Sequence, residues 1–239
     1  MMARAQFKKR ASGACIELHT FRQLVSWSLR KKATPGIFRL AMDLRVLMEP
    51  NIDLPRLSQV LDELGHPGRV WATQAWGRGL QARLYEAAKG FRKVTLDDYV
   101  PPGTAPLVEV IHHGKNTLPL HTHFQKRFCK PKAEDAMLVG YNHQSLSGLT
   151  GPGYFVTHPA ADEGEVDIDY TMLPTVKPDA WPPILPNSAK LGRFVYDGMI
   201  DVMRGISSHV SIGRAKKPNK KSDGWMDAWF VLVREDPAA

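Results

Sequence analysis

The feature that most constrains this chain is its last third, from Gly151 to Glu235. It reads G-P-G-Y-F-V-T-H, E-V-D-I-D-Y-T-M-L-P and V-S-I-G-R-A, then a basic loop and D-A-W-F-V-L-V-R-E. β-Branched or aromatic residues recur at alternate positions, and each run is bounded by Gly, Pro or Asp, which is the pattern of antiparallel strands. The same pattern extends upstream through Leu107–His112, Thr122–Cys129 and Leu138–Tyr141. Gly153–His158, Glu165–Leu173, Val210–Ala215 and Ala228–Arg234 complete the set, the last two as a hairpin. Between them, residues 174–189 hold five prolines and read as an irregular crossover lying over the surface. Leu191–Met203 places Phe194, Val195, Met199, Ile200 and Met203 at helical spacing, which predicts one late helix. Several short strands with one late helix imply a small barrel or a strongly curved sheet.

The first part of the chain has a different period. Residues 1–14 form a basic arm. Ile16, Leu18, Phe21, Leu24, Val25 and Leu29 then fall mostly at helical spacing. Thr34-Pro35 opens a second helix, with Thr34 as N-cap and Pro35 in the first turn. Asp53-Leu54-Pro55 opens a third, and Val70–Lys89 a fourth, weakened by Gly77 and Gly79. The stretch Tyr99–Pro106, rich in Pro and Gly, reads as a boundary. The expectation is an α+β protein: a helical region over 15–100 and a mainly antiparallel β-barrel over 105–239.

Composition narrows the function classes. No apolar run reaches the roughly 18 residues that span a bilayer. Two cysteines, Cys15 and Cys129, make no disulfide framework, which points to reduced thiols in a cytoplasmic protein. The N-terminus lacks the apolar segment of a secretory signal, although its basic, acid-poor character also fits an organelle transit peptide. The net charge of +8 is concentrated in residues 1–32 and at Arg214, Lys216, Lys217, Lys220 and Lys221. Such clusters attract an anionic surface or a protein partner, or are simply solvated. Nucleic acid is not expected, because stacking aromatics are not interleaved with them.

Four constellations bear on chemistry. His121 and His123 share a strand face, and G-K-N-T-L-P-L-H-T-H-F-Q-K-R-F resembles the first motif of the cupin family. That resemblance implies a metal-dependent enzyme with a third histidine such as His143 or His158. The glutamate slot of that motif, however, holds Gln125, Lys126 and Arg127, and cations beside a metal ion disfavour it. Cys129, flanked by basic residues in R-F-C-K-P, is read as a small strand residue, with a nucleophile as the alternative. No phosphate-loop or nucleophile-elbow pattern is present. Asp167 and Asp169 share a face, and Asp169 is expected to pair with Arg127 or Arg214.

The remaining set is polar groups among aromatics. If the barrel encloses a ligand, Phe124, Arg127, Tyr154, Tyr170 and Arg214 are the residues expected to point inward and hold it, the arginines clamping a carboxylate. The closing run M-I-D-V-M-R-G-I-S-S-H-V-S-I-G-R-A…D-A-W-F-V-L-V-R resembles the C-terminal strands of the plastid-lipid-associated (fibrillin) proteins. This resemblance implies a lipocalin-like barrel for a hydrophobic ligand. The sequence therefore predicts a non-enzymatic, cofactor-free binder of a hydrophobic or amphipathic, lipid-like small molecule. A cupin-like enzyme using His121 and His123, and an anionic-surface interaction protein, stay open as alternatives.

Overall fold

The computed structural model describes residues 44, 46–119, 122–132, 136–144, 147–218 and 223–236. The helices expected before residue 44 lie outside the described residues, as do the basic arm, His121, Lys220 and Lys221. Residues from Val46 onward form one compact unit. Its frame is a closed barrel of eight antiparallel strands, each paired with its sequence neighbours and the last with the first. They are β1 (Val110–Asn116), β2 (His123–Cys129), β3 (Leu138–His143), β4 (Tyr154–Pro159), β5 (Val166–Asp169), β6 (Ile200–Gly205), β7 (Val210–Lys216) and β8 (Trp225–Arg234). Up-and-down closure satisfies every strand edge, so no ladder is left exposed.

The seven strands read from the sequence are all present, with ends shifted by a few residues. The eighth, β6, occupies the stretch expected to be helix. Helix there is limited to one turn, Gly192–Val195. Gly198 takes φ +67°, which ends any helical run, and Ile200–Gly205 pairs with both β5 and β7. The helical spacing joined two different pieces: Phe194 and Val195 belong to the single turn, and Ile200 and Met203 to opposite faces of β6.

Three helices precede the barrel, α1 (Leu54–Glu63), α2 (His66–Gln74) and α3 (Arg78–Ala87); α2 packs on the outside of β1 and β8, and α3 on β7 and β8. Asp53 caps α1 by accepting from Arg56 N at 3.0 Å. The single helix read over Val70–Lys89 is two, with Gly77 as the N-cap of α3. Arg204, on the outer face of β6, ties α3 down. It bonds Glu165 Oε1 at 2.6 Å and Tyr85 O at 2.8 Å, and stacks 3.9 Å above the Tyr85 ring. The proline-rich crossover covers another outer face, where Trp181 packs with Cys129, Val139, Tyr141, Tyr154 and Val156.

The Tyr99–Pro106 stretch begins inside this unit. Val94, Tyr99 and Val100 are buried with Phe128, Leu138, Phe155, Val166, Ile168, Met203 and Leu232, so they plug one end of the barrel. Buried His112 contacts Tyr99 O at 2.9 Å and stacks on its ring, and burial holds the imidazole neutral, its pKa pulled down to about 3. The opposite end carries the loops β1–β2, β3–β4, β5–β6 and β7–β8. One end is solid and the other open.

Inside the closed half, glycines make room for rings from the next strand. A Cβ on Gly140 would lie 2.4 Å from both Arg127 O and the Phe155 ring. Gly140→Ala is expected to destabilise the protein by about 1–3 kcal/mol through overpacking. Urea denaturation measures this, and an unchanged midpoint would contradict the packing described.

Candidate functional site

Strand alternation decides which side chains enter the barrel. On β2, Phe124, Lys126 and Phe128 point in, while His123, Gln125 and Arg127 point out. Lys126 is thus a lysine carried into an aromatic interior, and it is fully buried. Its Nζ lies 4.9–5.7 Å from the rings of Tyr170, Phe155, Phe230 and Phe124, close enough for their faces to attract the cation.

An ammonium has three donors, and all three are used. They go to Asn142 Oδ1 at 3.0 Å, Asp201 Oδ2 at 3.1 Å and the Tyr170 hydroxyl. Asn142, on β3, donates to Tyr170 OH and to Gly153 O, both at 3.0 Å. Gly153, at φ +58°, can present that carbonyl because it has no Cβ to meet the Tyr196 ring. Tyr170 donates to Asp201 Oδ2 at 3.4 Å and stacks on Tyr196 with rings 5.3 Å apart. Four strand regions thereby converge on one buried polar centre. Burial pulls Lys126 down and pushes Asp201 up, each toward its neutral form, and their mutual attraction opposes both shifts. The Tyr170 hydroxyl is held un-ionised by burial and by Asp201.

This centre lines the inner part of a cavity of about 260 Å³ at the open end. Phe124, Met199, Ala215, Met226 and Phe230 form its apolar wall. Leu118, Phe194 and Val195 line it near the mouth, 44%, 69% and 37% exposed. An apolar shaft with a few convergent polar groups is the ordinary build of a small-molecule site.

The sequence-predicted ligand residues divide. Phe124 and Tyr170 line the cavity. The other three face outward, contrary to the expected inward clamp. Arg127 pairs with Glu109 at 3.0 Å and with Gln125. Tyr154 packs under Trp181 and donates to Pro182 O at 2.5 Å. Arg214 stacks between Trp225 and Trp229, about 5 Å from each, and bonds Met226 O at 3.0 Å. The reason is parity: each is the strand neighbour of an inward residue, namely Phe128, Phe155 and Gly213.

Other candidates are also placed. His123 is exposed, and among the described residues it joins no potential metal group. Asp169 accepts from Thr171 N at 2.7 Å and Thr171 Oγ1 at 2.6 Å rather than pairing with an arginine. Cys129 is buried on the outer face, where burial pushes its thiol up to about 12. Lys126, Asn142 and Asp201 were missed as site residues. The available signal for the first was a lysine alternating with two phenylalanines, F-Q-K-R-F. In sequence, no protein-family model and no curated protein matches the chain.

Two predictions follow from this geometry. Lys126→Met leaves the Asp201 carboxylate buried without its cation and should cost about 3–5 kcal/mol, whereas Lys126→Met with Asp201→Leu should recover most of that loss. Chemical denaturation of the three proteins checks it, and a double variant no better than the single would refute the pairing. Cys129, in a Cys15→Ser background, should resist a thiol-specific disulfide reagent at pH 8 in the native protein and react on unfolding.

Proposed function

We propose that the barrel binds a small amphipathic molecule, its apolar body in the shaft and a neutral polar head at the Lys126–Asn142–Tyr170–Asp201 centre. The observation that carries this reading is the position of a satisfied buried ion pair at the inner end of an open, apolar-walled cavity. The volume, about 260 Å³, lies just below the ~300–1,000 Å³ of drug-sized sites and so suits a small ligand. Exposed Leu118, Phe194 and Val195 give the mouth an apolar entrance for a hydrophobic chain.

The head-group preference follows from charge. Lys126 and Asp201 balance each other, so a carboxylate arriving beside Asp201 would add a second buried negative charge without a second cation. Arg127 and Arg214 cannot supply one from the outer face. A hydroxyl, carbonyl or amide can instead share the donors and acceptors of Tyr170 and Asn142 without changing the net charge. The lipid-like ligand class is thereby narrowed to neutral amphiphiles.

The test compares 1-decanol with decanoate by calorimetric titration. The alcohol is expected to bind at least about tenfold more tightly, a difference of roughly 1.4 kcal/mol. Ala228→Trp, which fills the apolar wall, should abolish binding of both. No binding to the unaltered protein, tighter binding of the carboxylate, or undiminished binding to Ala228→Trp would each overturn the proposal.

A further inference from the structure

A second cluster of chemically capable side chains lies outside the cavity, where α2 meets the barrel wall. His66 opens α2, His113 is on the outer face of β1, and Glu235 follows the last residue of β8. One ligating atom from each lies within 4.8 Å of the other two. The His66 and His113 ring centroids are 5.0 Å apart, and His113 Nε2 is 2.6 Å from Glu235 Oε1. Among the described residues this is the one group of three or more such side chains with that convergence.

The surroundings fix the ligands in the form that metal binding needs. His66 Nδ1 lies 3.2 Å from Arg234 O. A carbonyl oxygen only accepts, so Nδ1 carries the ring proton of the neutral imidazole, and Nε2 keeps its lone pair. A histidine held through one nitrogen by a backbone carbonyl is the usual outer support of a metal ligand. Asp236 braces the same corner: it accepts from His66 N at 3.2 Å and pairs with buried Arg69. The nearby guanidiniums are engaged elsewhere, Arg69 with Asp236 and Leu64 O, and Arg234 with Asp98 O at 2.7 Å.

We infer that His66, His113 and Glu235 bind one divalent transition-metal cation of the zinc class. Two imidazoles and a carboxylate are the donor set that suits such ions. Zinc–ligand bonds of about 2.0–2.2 Å place tetrahedral ligands roughly 3.3–3.5 Å apart. Reaching that spacing closes the pairs now up to 4.8 Å apart and opens the 2.6 Å His113–Glu235 pair, the cation replacing their hydrogen bond. The side chains of His113 and Glu235 are 31% and 37% exposed, so a fourth coordination position faces solvent. The cation would cross-tie α2, β1 and the exit of β8. This site shares no residue with the His121/His123 motif and does not depend on the cavity's ligand.

The experiment uses tag-free full-length protein stripped with a chelator and titrated with Zn²⁺ by calorimetry and with Co²⁺ by visible absorption. One equivalent should bind, with a Co²⁺ d–d band for tetrahedral or five-coordinate N/O ligation and a rise in Tm under excess Zn²⁺. His113→Ala and Glu235→Gln should each weaken Zn²⁺ binding at least tenfold, and the joint replacement His121→Ala/His123→Ala should leave it unchanged. Absence of a one-equivalent site in the unaltered protein would overturn the inference. So would undiminished affinity in His113→Ala, or loss of the site in the His121/His123 variant.

Discussion

The rest of this structure depends on how a lysine is kept inside a β-barrel. Removing an ammonium from water costs several kcal/mol, and the interior returns that only if every donor is met and a counter-charge is close. Lys126 satisfies the condition with Asn142, Tyr170 and Asp201, contributed by three separate parts of the chain. The requirement fixes register as well as energy. Slipping β2 by one residue would turn Lys126 outward, leaving the Asp201 carboxylate buried without its cation. Asp201 reaches the lysine from β6, so the same contact ties that strand to β2 across the barrel.

Around this centre the barrel is divided. Toward the plugged end, Gly140 on β3 accepts the ring of Phe155, and the Val94–Val100 segment fills the remaining space. Toward the open end, small or flexible side chains such as Ala215, Met199 and Met226 leave a cavity. An eight-stranded barrel is just wide enough for either solution, solid packing or one small ligand. Here it uses one in each half, with the ion pair at the junction. That position gives the pair a consequence beyond stability: it is the inner polar end of a largely apolar shaft, whose lining toward the mouth also includes Asn116 and Gln144.

Much of the fold was legible because alternation is a local property. Runs such as Y-F-V-T-H and W-F-V-L-V-R carry the period of a strand within six residues, and their turns are marked by Gly, Pro or Asp. β6 was not legible, because Phe194, Val195 and Met199, which precede it, continue a helical period into Ile200 and Met203 on the strand itself. Only the pairing partners distinguish strand from helix there. The site was read less well for the same reason. Arg127, Tyr154 and Arg214 are each one position away from an inward residue, and without the register an expectation built on residue type alone selects the wrong face. Lys126 carried a usable signal between Phe124 and Phe128, but Asp201 could not be recognised while its strand was read as helix. The His66, His113 and Glu235 cluster joins positions far apart in the chain, and no spacing rule connects them.

The most direct test of the central claim is a crystal structure of the protein soaked with a medium-chain alcohol. The account predicts the hydroxyl within hydrogen-bonding distance of Tyr170, Asn142 or Lys126, and the chain running past Phe124, Met199 and Phe230 to the mouth. An alcohol bound with its hydroxyl at the mouth, or a water-filled cavity with the alcohol elsewhere, would show that the buried ion pair serves the fold alone.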